Sequence, residues 1–140
     1  MKAVEKKVAE VQHRVSKLKD LALRLHSFED YVSSRDTMDI AERNIQVAIE
    51  ACLDIGKIII ANQGLPEPSD NKGIFSTLAE AGIITKESLN FLMPMAGTRN
   101  VLVHGYDRID NALIYGIMRT HLNNFEDFLN QVRDYYAPSP

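Results

Sequence analysis

Between residues 37 and 62 the apolar side chains fall into two helical stripes, and a helix with two apolar faces needs neighbours on both. Met38, Ala41, Ile45, Ala48, Cys52, Ile55 and Ile59 make one stripe, and Val47, Ala51 and Ile58 make the second. Upstream, Val4, Val8, Val11, Val15, Leu18, Ala22 and Leu25 recur at alternating spacings of four and three, which predicts a helix over 3–27 with a seam facing another helix. No segment alternates with the two-residue period of a strand, and no internal repeat is visible. The 140-residue chain is therefore predicted to be all-α, an antiparallel bundle of four to five helices.

Punctuation residues divide the remainder. A short helical linker holding Phe28, Tyr31 and Val32 leads to Ser33, Ser34 and Asp36, which are helix N-cap types. Residues 64–73, rich in glycine, proline, serine and aspartate, read as a surface loop, because the halves on either side are too small to form separate cores. A short helix over 74–81 is closed by Gly82. Another starts at Thr85, with Leu89, Leu92, Met93 and Ala96 apolar, and Pro94 is expected to kink it or start a fresh turn. Asp110 is expected to cap a last long helix to about residue 135, with Leu113, Ile114, Ile117, Phe125, Phe128, Leu129 and Val132 on its buried face. Residues 1–137 are read as one domain and 138–140 as a tail.

Composition narrows the partners. With 45% hydrophobic and 25% charged residues the chain has the balance of a soluble globular protein, and its net charge of −3 excludes a strongly basic surface that would bind any polyanion. A nucleic-acid contact must then be local. The first helix is the most basic region, with Lys2, Lys6, Lys7, Arg14, Lys17, Lys19 and Arg24, but acidic residues dilute it and a solvated face is the reading adopted. Charged residues interrupt the opening stretch, so no secretory signal is read, and the apolar run at 58–61 is too short to span a membrane. Cys52, the single cysteine, makes neither an internal disulfide nor a thiolate metal site, and a cytoplasmic location is expected. Glu10 and His13 have the Glu-x-x-His spacing of di-iron bundles, yet no second copy accompanies them. His13, His26 and His121 are read as structural or exposed, and no metal or cofactor is expected.

The chemistry concentrates in 98–110, Thr-Arg-Asn-Val-Leu-Val-His-Gly-Tyr-Asp-Arg-Ile-Asp. The helix is expected to stop at Gly105 in a left-handed cap, leaving His104 in the last turn and Tyr106 just outside. At 100° per residue Asn100 and His104 lie about 40° apart, whereas Arg99 lies about 140° from His104 and must use its length to approach it. Arginine offers a permanent fork of donors to phosphate oxygens, and histidine moves protons near neutral pH; together they are the minimum for metal-free phosphodiester chemistry. The dipole at a helix C-terminus repels phosphate, so anion affinity must come from the arginine. Asp54 interrupts the second stripe of the 37–62 helix. It is expected to pair with Arg99 or with the imidazole of His104, or else to face solvent at the stripe's margin.

Arg99, four residues, His104, one residue, Tyr106, with Asn100 directly after the arginine, resembles the signature of HEPN domains, and more narrowly the HepT ribonuclease toxins of HEPN/MNT toxin–antitoxin pairs. The resemblance implies a helical bundle that acts as a symmetric homodimer, two motif copies meeting in a shared cleft. It implies a metal-independent endoribonuclease acting on transfer or messenger RNA, with Arg99 on the scissile phosphate, His104 as general base or acid, and Asn100 positioning the motif or substrate. It also implies a cognate MNT nucleotidyltransferase antitoxin that adenylylates Tyr106. Added AMP would bring negative charge and bulk to the place where RNA phosphate must sit. The alternative of a different class is a catalytically silent dimerisation module that binds a nucleotidyltransferase. The RNA target and base preference are not legible, because nothing resembles a groove-reading helix or an aromatic stacking platform.

Overall fold

A computed structural model describes residues 2–137, apart from the side chain of Tyr106; the expected tail at 138–140 lies outside the described residues. The first seam and the first stripe of the 37–62 helix pack as their patterns require; of the second stripe only Ala51 is buried, Val47 and Ile58 being partly exposed, and Ile49, Leu53 and Ile60 extend the buried surface of that helix instead. Helix α1 (Lys2–Leu23) lies along α3 (Arg35–Gln63), burying Val4, Val11, Val15 and Leu18 on one side and Ala41, Ile45, Ala48, Cys52 and Ile55 on the other. The other face of α3 receives α4 (Asn71–Glu80) and α5 (Leu89–His104). A one-turn α2 (Phe28–Val32), α6 (Asn111–Thr120) and α7 (Leu122–Tyr136) complete a bundle around one continuous apolar core. Among the described residues there are seven α-helices, one 3₁₀ turn and no strand.

Several boundaries differ from the sequence expectation. The first helix stops at Leu23, not at residue 27, because Arg24 and Leu25 switch to i→i−3 hydrogen bonds and Leu25 folds into the core. Ser27 is released to cap α2, its hydroxyl accepting from the Asp30 amide at 3.1 Å. Ser34 caps α3 in the same way, and Gly64 closes that helix at φ 61°, a left-handed conformation that favours glycine. Helix α4 starts at Asn71, inside the segment expected to be loop, because the Asp70 carboxylate caps it at 2.8 Å from the Gly73 amide.

Pro94 neither ends α5 nor starts a new helix; the helix continues from Leu89 to His104, with Pro94 exposed. The last helix is two. His121 sits between α6 and α7 at φ −121°, ψ 7°, and Leu113, expected in the buried stripe, is 46% exposed. The remaining members of that stripe, Ile114 and Ile117 on α6 and Phe125, Phe128, Leu129 and Val132 on α7, are all buried. Phe128 meets Phe75 of α4 edge to face at 5.9 Å, a geometry worth about 0.5–1.5 kcal/mol beyond burial.

Candidate functional site

Helix α5 carries the motif because its two sides differ. Leu92, Met95, Ala96 and Leu102 are buried against α3 and α4, and buried Thr98 returns its hydroxyl to the Pro94 carbonyl at 3.1 Å. That anchoring leaves Arg99 half-buried and Asn100 and His104 exposed. These three side chains therefore reach solvent and are not sealed beneath packing.

Arg99 turns toward α3. Its Nε donates to Oε2 of Glu50 at 3.1 Å, its Nη2 stands 3.0 Å from the same oxygen as an ion pair, and its Nη1 donates to Oδ1 of Asn100 at 3.4 Å. The partner of Arg99 is thus Glu50 and not Asp54. Asp54 lies one turn further along α3 and is occupied from the other side, its Oδ2 2.9 Å from Nζ of Lys7 on α1. Residues four apart share a helix face, so the sequence placed an acid on the correct face of α3 but one turn away from the arginine. The two carboxylates divide the work: Glu50 ties α3 to the motif helix, and Asp54 ties it to α1. Glu50 is the site residue that sequence reasoning missed. The only signal for it was its i,i−4 relation to Asp54.

His104 is the last residue of α5, and among the described residues its imidazole has no hydrogen-bond partner. The cap that follows is not the left-handed one expected. Gly105 has φ −128° and ψ 47°; its amide bonds to the Val101 carbonyl at 2.8 Å, and its own carbonyl accepts from the Arg108 amide at 2.8 Å. The chain turns directly into a 3₁₀ turn over Tyr106–Arg108, so no reversal of hand is needed to leave the helix. The side chain of Tyr106, expected to carry the modification, lies outside the described residues. The backbone places it two residues beyond His104 at the first position of that turn.

Other candidate ligands are accounted for. Glu10 accepts from Arg14 at 3.3 Å, and Arg14 reaches on to Oδ1 of buried Asn44 at 3.2 Å, while His13 is exposed. Among the described residues no group of three His, Cys, Asp or Glu side chains is arranged to hold a metal ion. No helix among them is long and apolar enough to cross a membrane. A groove of about 670 Å³ between the start of α5 and α6–α7 is lined by Phe91, Pro94, Ile117, His121 and Asn124, and by neither Arg99 nor His104. The site is therefore an open surface at one helix end, with one cation held by Glu50 and one exposed imidazole. Such a surface offers a cation that can bind a phosphate and an imidazole that can exchange a proton.

Comparison with known proteins agrees with this architecture. A family model described as Ribonuclease HepT-like matches residues 11–132. The chain is 32% identical over 90 residues to the mRNA nuclease HepT of Shewanella oneidensis, covering 64% of this chain and 68% of that protein. It is 30% identical over 109 residues to the tRNA nuclease HepT of Aphanizomenon flos-aquae, covering 78% and 74%. The solved structure of a tri-AMPylated HEPN toxin of Shewanella oneidensis in complex with MNT antitoxin superposes with a TM-score of 0.87, covering 96% of this chain and 98% of that one at 24% identity. The fold is thus that of a HEPN helical bundle. The chain belongs to the HepT-like ribonuclease family.

Proposed function

We propose that this chain is a metal-independent endoribonuclease toxin that works as a symmetric dimer, with Arg99 and His104 from each copy facing one cleft. The observation that carries this reading is the pairing of a guanidinium held by Glu50 with an exposed imidazole at the end of the same helix. Cleavage through the RNA's own 2′-hydroxyl needs a base for that proton, an acid for the departing 5′ oxygen, and positive charge on the phosphorane. In the proposed step one His104 takes the 2′ proton as the 2′ oxygen attacks phosphorus. The bond to the 5′ oxygen breaks, the second copy's His104 donates its proton there, and the products are a 2′,3′-cyclic phosphate and a 5′-hydroxyl. One chain brings one motif histidine, so a two-fold dimer completes the pair. Asn100, beside the Arg99 guanidinium, holds the motif or the substrate in place.

The relative from Shewanella oneidensis is AMPylated and bound to an MNT antitoxin. By extension, a nucleotidyltransferase of that kind is the proposed antitoxin here and Tyr106 the proposed acceptor, next to where substrate phosphate would sit. The deciding experiment incubates purified, unmodified protein with transfer and messenger RNA in excess chelator. Wild type is expected to cut, leaving cyclic phosphate ends, and His104→Ala and Arg99→Ala to lose at least about a hundred-fold of the rate. Intact RNA in all three reactions, or cleavage unaffected by His104→Ala, would favour the silent docking module instead.

A further inference from the structure

Resting on the ribonuclease reading, we infer that Glu50 is a positioning residue that aims the Arg99 guanidinium at the scissile phosphate. Both contacts run to a single carboxylate oxygen, Oε2, from Nε and Nη2, the side edge of the guanidinium. Arginine has five N–H donors; this grip uses the one on Nε in a hydrogen bond and holds Nη2 beside the same oxygen as an ion pair. The end edge, formed by Nη1 and the second hydrogen of Nη2, keeps the parallel pair of donors that suits two phosphate oxygens. Nη1 also donates to Oδ1 of Asn100 at 3.4 Å, the longest of the Arg99 contacts.

Glu50 is well placed to act as a fixed point. It lies within α3 between buried Ile49 and Ala51, so its backbone belongs to the rigid core, while α5 meets α3 through tertiary packing alone. The pair is neither buried nor free: the two side chains are 25% and 32% exposed. An ion pair so exposed is a weak source of stability, which leaves orientation of the arginine as its consequence. A competing role, in which Glu50 neutralises Arg99 and restrains activity until RNA displaces it, predicts the opposite response to mutation.

The test measures cleavage of a short RNA by wild type, Glu50→Ala, Glu50→Gln, Arg99→Ala and the Glu50→Ala/Arg99→Ala double variant, with thermal unfolding of each as a check on folding. Glu50→Ala is expected to lower kcat about 10-fold or more with little change in KM, since orientation matters most in the transition state. Glu50→Gln, whose amide oxygen still accepts from Nε, is expected to stay within about three-fold of wild type. The double variant is expected to be no slower than Arg99→Ala, because the two residues act as one unit. Wild-type or faster cleavage by Glu50→Ala, or losses that multiply in the double variant, would overturn the assignment.

A second readout separates this inference from the ribonuclease reading itself. In ¹⁵N spectra the Arg99 Nε–H is expected as a resolved, slowly exchanging signal that disappears in Glu50→Ala and survives in Glu50→Gln. Its absence from wild type would overturn the positioning role even if RNA is cut. Its presence would uphold the grip on Arg99 even if RNA is not.

Discussion

Gly105 shows what a single position in the motif demands. Its backbone is not left-handed, so a side chain there meets no dihedral strain; a Cβ would instead stand 3.1 Å from Nη2 and 3.3 Å from Nε of Arg108. The obstacle is the far end of a flexible side chain. Gly105→Ala is therefore expected to lower stability by no more than about 1 kcal/mol in urea unfolding, and a loss of several kcal/mol would show that the backbone itself requires glycine. The left-handed cap inferred from sequence failed for a related reason: glycine after a helix permits that conformation without compelling it, and a 3₁₀ turn was the alternative exit. Arg99, Asn100 and His104 were readable as residues because their types and spacing are local. Their partners were not. Glu50 is 49 positions from Arg99, and nothing in one sequence distinguishes it from Asp54 on the same face.

At the scale of helices, periodicity carried furthest where the helix is long and its burial continuous. α3 closely follows its predicted bounds, and its stripe members Met38, Ala41, Ile45, Ala48, Cys52, Ile55 and Ile59 are all buried. It failed at ends and breaks, which tertiary contacts decide: Leu25 leaves α1 to enter the core, and His121 interrupts what the apolar pattern presented as one helix. A different helix-scale constraint is the close approach of α3 and α4 at Gly56, where a Cβ would come within 2.4 Å of Cγ2 of Ile74 and 3.3 Å of Cδ1 of Leu78. Gly56→Ala is expected to cost about 1–3 kcal/mol, lowering Tm by several degrees for a domain of this size. Adding Ile74→Ala, which removes the nearest group, should make the double variant less unstable than the sum of the two single changes. Simple additivity of the two losses would contradict the proposed contact.

For the whole molecule, the fold class was legible because an absence of strand alternation and a surplus of helical stripes leave few arrangements other than a bundle. How two such bundles would pair was not. Among the described residues the exposed large apolar side chains are Leu23, Phe28, Ile40, Leu113 and Tyr135, one on each of five elements, and single exposed apolar residues are normal on a surface. The case for a dimer rests on chemistry: an open half-site with one imidazole, and a reaction that needs both a base and an acid. The most direct test is a heterodimer of one wild-type and one His104→Ala chain, isolated through two different tags and assayed on RNA in chelator. A shared cleft predicts activity below about one tenth of the wild-type dimer, because a proton transfer is lost from the one composite site. Half of the wild-type activity, as two independent sites would give, would contradict it.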